Sequence, residues 1–470
     1  MGKDRISELP EELLLQRLSL LPPKTVITTS ILSKRWLSLW KLVPKLEFDS
    51  DNYQEDIAKF LENVGKFLLS HKAPVLESLR LRVTDKTEET RCVINVGVWV
   101  GIAVVRHVRK LVLDLFLFKS SVRFPTSVLF SDTLETLQLK YSVLVDVPSR
   151  IYVKSLRTLH LYHVSYKDGE SIHNLISGCP NLEDFLIQGG TCKVVLTLVI
   201  EAPSLKRLWI HGQIGGRKTM INAPCLEYLE MKGFSHGECC LIENAPVLVK
   251  ATISNVSYIV NENILGSLKS AKRLSLNLSP LEIKCPTGAI FHQLVYLEMY
   301  TREAEWWNLL TIMLDSSPKL QVLKLIDVRL RSDGCLSLFW GLKYEGLIVI
   351  HILPCLFLTS MIRMLAKMMW TLAGDGMGQS TFLNVLSSCL ETFVWNRIRY
   401  GCEREEEEKE VAKYILKNAR LLKKATFSTT IPIESKELNK LEERRKMLLN
   451  ELSRVKASNS YQLVFDGESI

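Results

Sequence analysis

The chain lacks the marks of a secreted, membrane-bound or self-sufficient catalytic protein, and each absence narrows what it can do. Its 470 residues include 11 cysteines, an odd number, and no C-x-x-C pair. Zinc modules need paired Cys and His at set spacings, and the nearest approach, His236 with Cys239 and Cys240, reads as a loop with ordinary thiols. The N-terminal MGKDRISELPEE has no apolar signal-peptide core, and Ile6 stands where a myristoylation pattern requires Ser or Thr. Reduced thiols in the cytoplasm and/or nucleus are therefore expected.

Chemistry is equally sparse. No phosphate-binding G-x-x-x-x-G-K-[ST] loop and no nucleophile elbow occurs. A thioester-forming cysteine needs a base or positive field to lower its pKa, and none of the cysteines stands in a local motif that supplies one. His160 and His163 lie three apart on a predicted strand, so they face opposite sides and share no ion. No catalytic residue, cofactor or metal is expected, and the chain is read as not an enzyme by itself.

Lys and Arg number 60 against 51 Asp and Glu, a mild excess spread along the chain and not a stripe interleaved with aromatics. Nucleic acid is not an expected partner. The apolar run at 346–362 falls short of the roughly 20 residues that span a bilayer and contains His351 and Pro354, so no membrane span is expected. What is present is apolar: 47% hydrophobic residues can bury a sizeable core, and the length allows two to four domains at about 150 residues each.

Residues 9–40 read LPEELLLQRLSLLPPKTVITTSILSKRWLSLW. Pro10 suits a first helical turn, Glu11 and Glu12 its positive end, and Leu14, Leu18 and Leu21 recur as one stripe. Pro22 and Pro23 end this helix, 24–32 can form a second, and Ser33 is a plausible N-cap for a third carrying Trp36 and Trp40 on one face. A unit of about 45 residues does not bury two tryptophans and so many leucines alone, which leaves an apolar face for a partner. A helical cap closing the array that follows is the other reading.

The string resembles the F-box over its whole length, through Leu9-Pro10, Leu21-Pro22 and Leu32-Ser33-Lys34-Arg35-Trp36 with Trp40. That resemblance implies docking onto a Skp-type adaptor and through it a cullin. Leu9, Pro10, Leu14, Leu18, Leu21, Val26, Leu32, Trp36 and Trp40 are then the residues that touch the adaptor or hold the contact face. Arg17 stands where the family usually carries an aliphatic residue; its stem can lie on apolar surface with the charge in water, so weakened docking is expected.

From residue 74 one phrase recurs, L-x-x-L-x-L, in APVLESLRL, SDTLETLQL, VKSLRTLHL, CPNLEDFLI, APSLKRLWI, APCLEYLEM, APVLVKATI, FHQLVYLEM and SPKLQVLKL. Most intervals fall within the roughly 20 to 29 residues of leucine-rich repeats. Each phrase reads as a short strand plus a return segment that buries its apolar side only when a neighbour stacks on it. A curved parallel sheet is expected, with leucines inward and an open face carrying His160, Tyr162, Trp209, His211, Glu230, Lys232, Glu298, Tyr300 and Lys324. Mixed aromatics and charges suit recognition of a target protein, whose identity is unknown. The irregular repeats, often beginning Ala-Pro or Cys-Pro, look like those of plant F-box proteins.

Residues 389–428 are similar to the FBD domain that follows such repeats in those proteins. The acidic run at 405–408 then opens a helix with Val411 and Ile415 inside, and a second helix and a closing strand follow. The expected fold is α/β: a three-helix F-box at 1–48, an irregular leucine-rich-repeat solenoid at 74–343 and a small α/β FBD-type domain at 389–470. Residues 344–388 match neither neighbour and read as foreign to the fold, as translated intron would be; a buried helix of the solenoid is the alternative. If no part of the repeat assembles a ligase, the chain is a scaffold or regulatory binder.

Overall fold

The computed structural model describes residues 9–21, 23–52, 57–85, 96–117, 120–192, 197–212, 218–233, 239–256, 264–278, 291–301, 306–327, 381–398, 405–429, 438–455 and 461–465. His236 and residues 344–380 lie outside them. The chain divides into two compact units, Met1–Ala271 with 282–286, and Lys272–Leu281 with 287–470.

The first unit opens with helices α1 (Glu11–Leu18), α2 (Pro23–Thr28) and α3 (Trp36–Leu39). Helix α4 (Ile57–Ser70) then buries Phe60, Val64, Phe67 and Leu68, the i, i+4, i+7, i+8 stripe of an amphipathic helix. The principal sheet of this unit runs β1 (Lys45–Asp49), β2 (Ser78–Asp85), β3 (Lys110–Leu117), β4 (Thr136–Tyr141), β5 (Thr158–Tyr162), β6 (Asp184–Gln188), β7 (Arg207–His211), β8 (Tyr228–Lys232) and β9 (Lys250–Val256). Each pairs parallel with the next in chain order. Strict alternation sends one column inward, Leu79, Leu111, Leu137, Leu159, Phe185, Leu208 and Leu229, every one buried. Such a sheet is typical of a leucine-rich-repeat solenoid.

The return segments do more than return. Val122–Arg123, Val143–Val145, Ser165–Tyr166 and Thr191–Cys192 form one small parallel sheet, and Thr197–Glu201, Lys218–Asn222 and Cys239–Asn244 form another. These ladders pair backbone groups that would otherwise be buried without partners behind the principal sheet. Between β4 and β9 the chain leaves the sheet through a left-handed residue at one recurring place: Tyr141, His163, Gly189, Gly212 and Gly233. The N–H groups of His163 and Gly189 donate to the Gln188 and His211 carbonyls, each at 2.7 Å. His163 thus lies beyond its strand, not on the strand's opposite face.

The second unit continues the pattern with β10 (Arg273–Leu278), β11 (Tyr296–Tyr300), β12 (Val322–Ile326), β13 (Thr392–Ile398), β14 (Lys424–Thr429) and β15 (Gln462–Phe465), parallel throughout. Helices Trp306–Asp315, Thr381–Ser388, Glu405–Asn418 and Leu438–Arg454 accompany them. Trp395, Phe393 and Phe427 fill the core, with Phe393 edge-on to Phe427 at 5.6 Å. Val322 pairs directly with Thr392, 70 residues on, whereas Tyr296 pairs with Val322 only 26 residues on. β12 and β13 are therefore neighbours in the sheet although far apart in the chain. Among the described residues, no helix is long and apolar enough to cross a membrane and no cluster could hold a metal ion.

Candidate protein-docking surfaces

The N-terminal helices sort their apolar residues into two sets. Leu14, Leu18, Val26, Trp36, Leu39 and Val43 are buried and hold the module together. Ile31, Leu20 and Leu32 are 85%, 73% and 62% exposed, and Leu9, Leu13, Leu21 and Ile27 are also open to solvent. An apolar set of this size on a small module marks an interaction surface. Pro10 is exposed and its carbonyl accepts the Leu13 and Leu14 N–H groups, starting α1. Trp40 is half-buried against Phe67, ring centroids 5.1 Å apart.

Two details differ from the sequence reading. Leu21 leaves the stripe of Leu14 and Leu18, because α1 ends at Leu18 and Leu20 and Leu21 bond back three residues, to the Arg17 and Leu18 carbonyls. Ser33 is not an N-cap: Arg35 already has helical dihedrals, and Ser33 contributes its carbonyl to the Trp36 N–H at 3.1 Å. Arg17 is exposed, as its charge requires.

The open face of the first unit's sheet is a grid. Its central row runs Glu47, Arg80, Val112, Gln138, His160, Leu186, Trp209 and Glu230 across β1 to β8, and a flanking row includes Arg82, Lys140, Tyr162, His211 and Lys232. The expected His160, Tyr162, Trp209, His211, Glu230 and Lys232 all lie here. Glu230 accepts hydrogen bonds from Tyr228 and His211, the latter at 3.1 Å, and pairs with Lys232. Burial opposes its charge, yet the Lys232 and Tyr228 hydrogen bonds outweigh that and hold its carboxyl below the usual range. Burial, reinforced by Glu230, pushes the Tyr228 hydroxyl up to about 12. Burial also lowers the His160 imidazole, against Asp184 and with Lys110 and Lys140, while the Gln138 amide donates to its Nδ1 at 2.9 Å.

Each acid on this face meets a cation: Glu47 Arg80, Asp49 Arg82, Asp114 Lys140, Asp184 Arg207 and Glu230 Lys232. The second unit repeats the Tyr-x-Glu device. Glu298 accepts from Ser275 at 2.9 Å, Tyr296 at 3.0 Å and Lys324 at 3.0 Å, with Tyr300 two residues on and Arg273 over the Tyr296 ring at 4.4 Å. Sequence reasoning missed Leu186, Tyr228 and Tyr296 on the open faces. Period two measured from the leucines, with Leu186 between Phe185 and Ile187, would have found them.

Comparison with known proteins gives three domain matches: an F-box domain at 6–48, the LRR repeats of FBD-associated F-box protein At5g56370 at 96–251, and FBD at 380–427. The F-box/FBD/LRR-repeat proteins At3g52680 and At3g51530 of Arabidopsis thaliana are 51% and 52% identical to this chain. Both matches run over 474 residues, 99% and 100% of this chain and 94% of each relative. The chain belongs to the F-box/FBD/LRR-repeat family. Its F-box and repeats suggest a substrate-adaptor role in ubiquitin ligase complexes, and the family names suggest a non-enzymatic protein.

The FBD match begins at 380, so helix Thr381–Ser388 falls within it, ahead of the boundary expected at 389. The F-box is joined to the repeats by more than a peptide bond. The Lys41 carbonyl accepts the Lys72 and Ala73 N–H groups at 2.7 and 3.0 Å, and β1 follows the F-box within a few residues. His71, 2% exposed, bonds through Nε2 to the Val43 carbonyl at 2.8 Å and through Nδ1 to Arg106 at 2.6 Å. Among the described cysteines Cys179, Cys225, Cys240 and Cys389 form no disulfide, and burial pushes the Cys179 thiol up to about 12. That thiol is inert.

Proposed function

We propose that this protein is the substrate-receptor subunit of a Skp-cullin-F-box ubiquitin ligase, docking the adaptor through the F-box and a target protein through the open face of its repeats. The observation that carries the reading is the fusion of the two surfaces in one compact unit: the strand that leaves the F-box is the first strand of the repeat sheet. Catalysis is then by proximity, with the chemistry done by other subunits. Leu9, Pro10, Leu21 and Leu32, joined by Ile27 and Ile31, form the adaptor contact, and Leu14, Leu18, Val26, Trp36 and Trp40 hold it in shape. The first unit's open face, with His160, Tyr162, Trp209, His211, Glu230 and Lys232, takes the target; Glu298, Tyr300 and Lys324 on the second unit's own open face are proposed for the same role. Reduced thiols support action in the cytoplasm and/or nucleus, without cofactor, nucleic acid or membrane.

The test is co-purification of the intact chain with a Skp-type adaptor and recruitment of a cullin. Failure of the folded chain to bind any such adaptor sinks the docking claim. Adaptor binding without cullin recruitment favours the second reading, a non-ligase scaffold, which Arg17 motivates. The direct pairing of β12 with β13 supports reading 344–388 as an insertion as far as 380, where the FBD match begins, and transcript sequence across codons 344–388 decides whether it is translated intron.

A further inference from the structure

The open face of β1 to β9 has a charge imbalance with a definite address. Every acid on it is matched by a cation, of a neighbouring strand or, for Glu230, of its own, and the lysines left over stand in one row at the strand starts: Lys45, Lys110 and Lys250. Lys45 is shared with Glu77 at 3.5 Å, which lies off that face, and Lys250 caps the Tyr228 ring at 5.3 Å. Among the described residues, no acid and no hydrogen-bond partner meets the Lys110 ammonium. A cavity of about 440 Å³ opens beside it, lined by Lys45, Lys110, Val112 and Gln138, by Leu20 and Leu21 of the F-box, and by Glu47, Asp49 and Arg80, the two acids being already held by Arg80 and Arg82. From that cavity the central row runs on through His160 and Leu186 to Trp209, and between Val112 and Trp209 it carries no Asp, Glu, Lys or Arg.

We propose that the target presents an acidic extended segment, which crosses the strands over Leu186 and Trp209 and places a carboxylate-bearing residue in the cavity against Lys110. Resting on the reading of the sheet as the target-binding face, this names the partner's chemistry. From β3 to β7 are four interstrand steps of about 4.8 Å, so the path is about 19 Å, the length of about six extended residues. Apolar side chains of the segment meet Leu186 and Trp209, and its acid supplies the charge that the face lacks. Leu20 and Leu21 stand at the end of this path.

The test is selection of a random twelve-residue peptide display library on the full-length chain, alone and with adaptor bound to cover the F-box surface. The expected outcome is at least several-fold enrichment of Asp and Glu beside aliphatic or aromatic residues. Lys110→Glu should lower retention of the selected peptides at least tenfold, Lys110→Arg should keep it, and both should bind adaptor as the parent does. Enrichment of Lys and Arg, no retained peptide, or retention unchanged in Lys110→Glu overturns the proposal while leaving adaptor docking intact. Acidic selection by a chain that binds no adaptor overturns the ligase reading and leaves this one standing.

Discussion

Replacing His71 by Gln tests the joint between F-box and repeats. The imidazole is neutral by its bonding: Nε2 donates to the Val43 carbonyl and Nδ1 accepts from the Arg106 guanidinium, with the ring stacked on Phe67 at 6.0 Å. Burial, with the Arg106 charge, holds its pKa below the ordinary 6.5, against the Val43 hydrogen bond. The unfolded chain therefore takes up a proton that the folded one refuses. The contribution to stability is complete above the unfolded pKa and is lost as pH falls below it, by up to about 1.4 kcal/mol between pH 7.5 and 5.5. Gln keeps a donor for Val43 and an acceptor for Arg106 but does not titrate. Urea unfolding followed by tryptophan fluorescence, to which Trp40 on Phe67 contributes, should show the parent losing more stability than His71→Gln over that pH range, within that bound. His160, His163 and His211 are also lowered by burial and titrate in both proteins, so the difference isolates His71. Equal pH sensitivity would refute the reasoning. His71→Ala, which strands both partners, should cost about 2–4 kcal/mol at pH 7.5.

On the F-box, Ile31→Asp and Leu32→Asp should abolish adaptor co-purification with stability changed by less than about 0.5 kcal/mol, because both side chains are exposed. Trp36→Ala should instead cost about 3–5 kcal/mol in a thermal or urea melt. Arg17→Leu should tighten adaptor binding roughly three- to tenfold by calorimetry, the worth of one added apolar contact of about 1 kcal/mol; unchanged affinity would place Arg17 outside the interface. Gly189→Ala, at φ +57 with its Cβ 2.4 Å from His163 Nδ1, should destabilise by about 2 kcal/mol or more. Gly212→Ala, at φ +72 with nothing nearer than 3.9 Å, should cost about 1 kcal/mol, and equal melts for the two would discredit the packing account.

Where the sequence repeats itself, the structure was legible. Leu-x-x-Leu-x-Leu fixes which residues turn inward, and from that follow the strand order, the register and the place of Trp209 or Glu230 on the open face. The return strands were hidden, because TLVIE, KTMIN and CCLIEN are five or six residues long, carry no lead phrase and gain stability only from partners a repeat away. Glycine marks the left-handed corner at 189, 212 and 233, but Tyr141 and His163 take the same conformation with no propensity to announce it. His71 was invisible for a different reason: its partners come from 28 and 35 residues away, and a single histidine has no period. In the F-box the residues that match the family string include the packing ones, so Ile27 and Ile31, which face solvent, were not singled out.

Proximity catalysis requires that the target stay at a set distance from the adaptor, since a flexible joint dilutes the target's effective concentration at the ubiquitin-carrying enzyme. In this chain no such joint follows the F-box. Val43 is buried, β1 begins at Lys45 and pairs along its whole length with β2, and His71 and the Lys41 carbonyl stitch the same point to the elements behind it. The repeats add a complementary tolerance. Because each strand rests only on its neighbours, β12 and β13 pair in register although far more chain separates them than separates β11 from β12. A change of length there leaves the face of β1 to β9 where the F-box sets it, whereas the same change between Val43 and Lys45 would separate the two docking surfaces. Under the proposed role, the short connection at Val43 to Lys45 and the long one between β12 and β13 meet one requirement, that the adaptor end and the face of β1 to β9 stay in one compact unit.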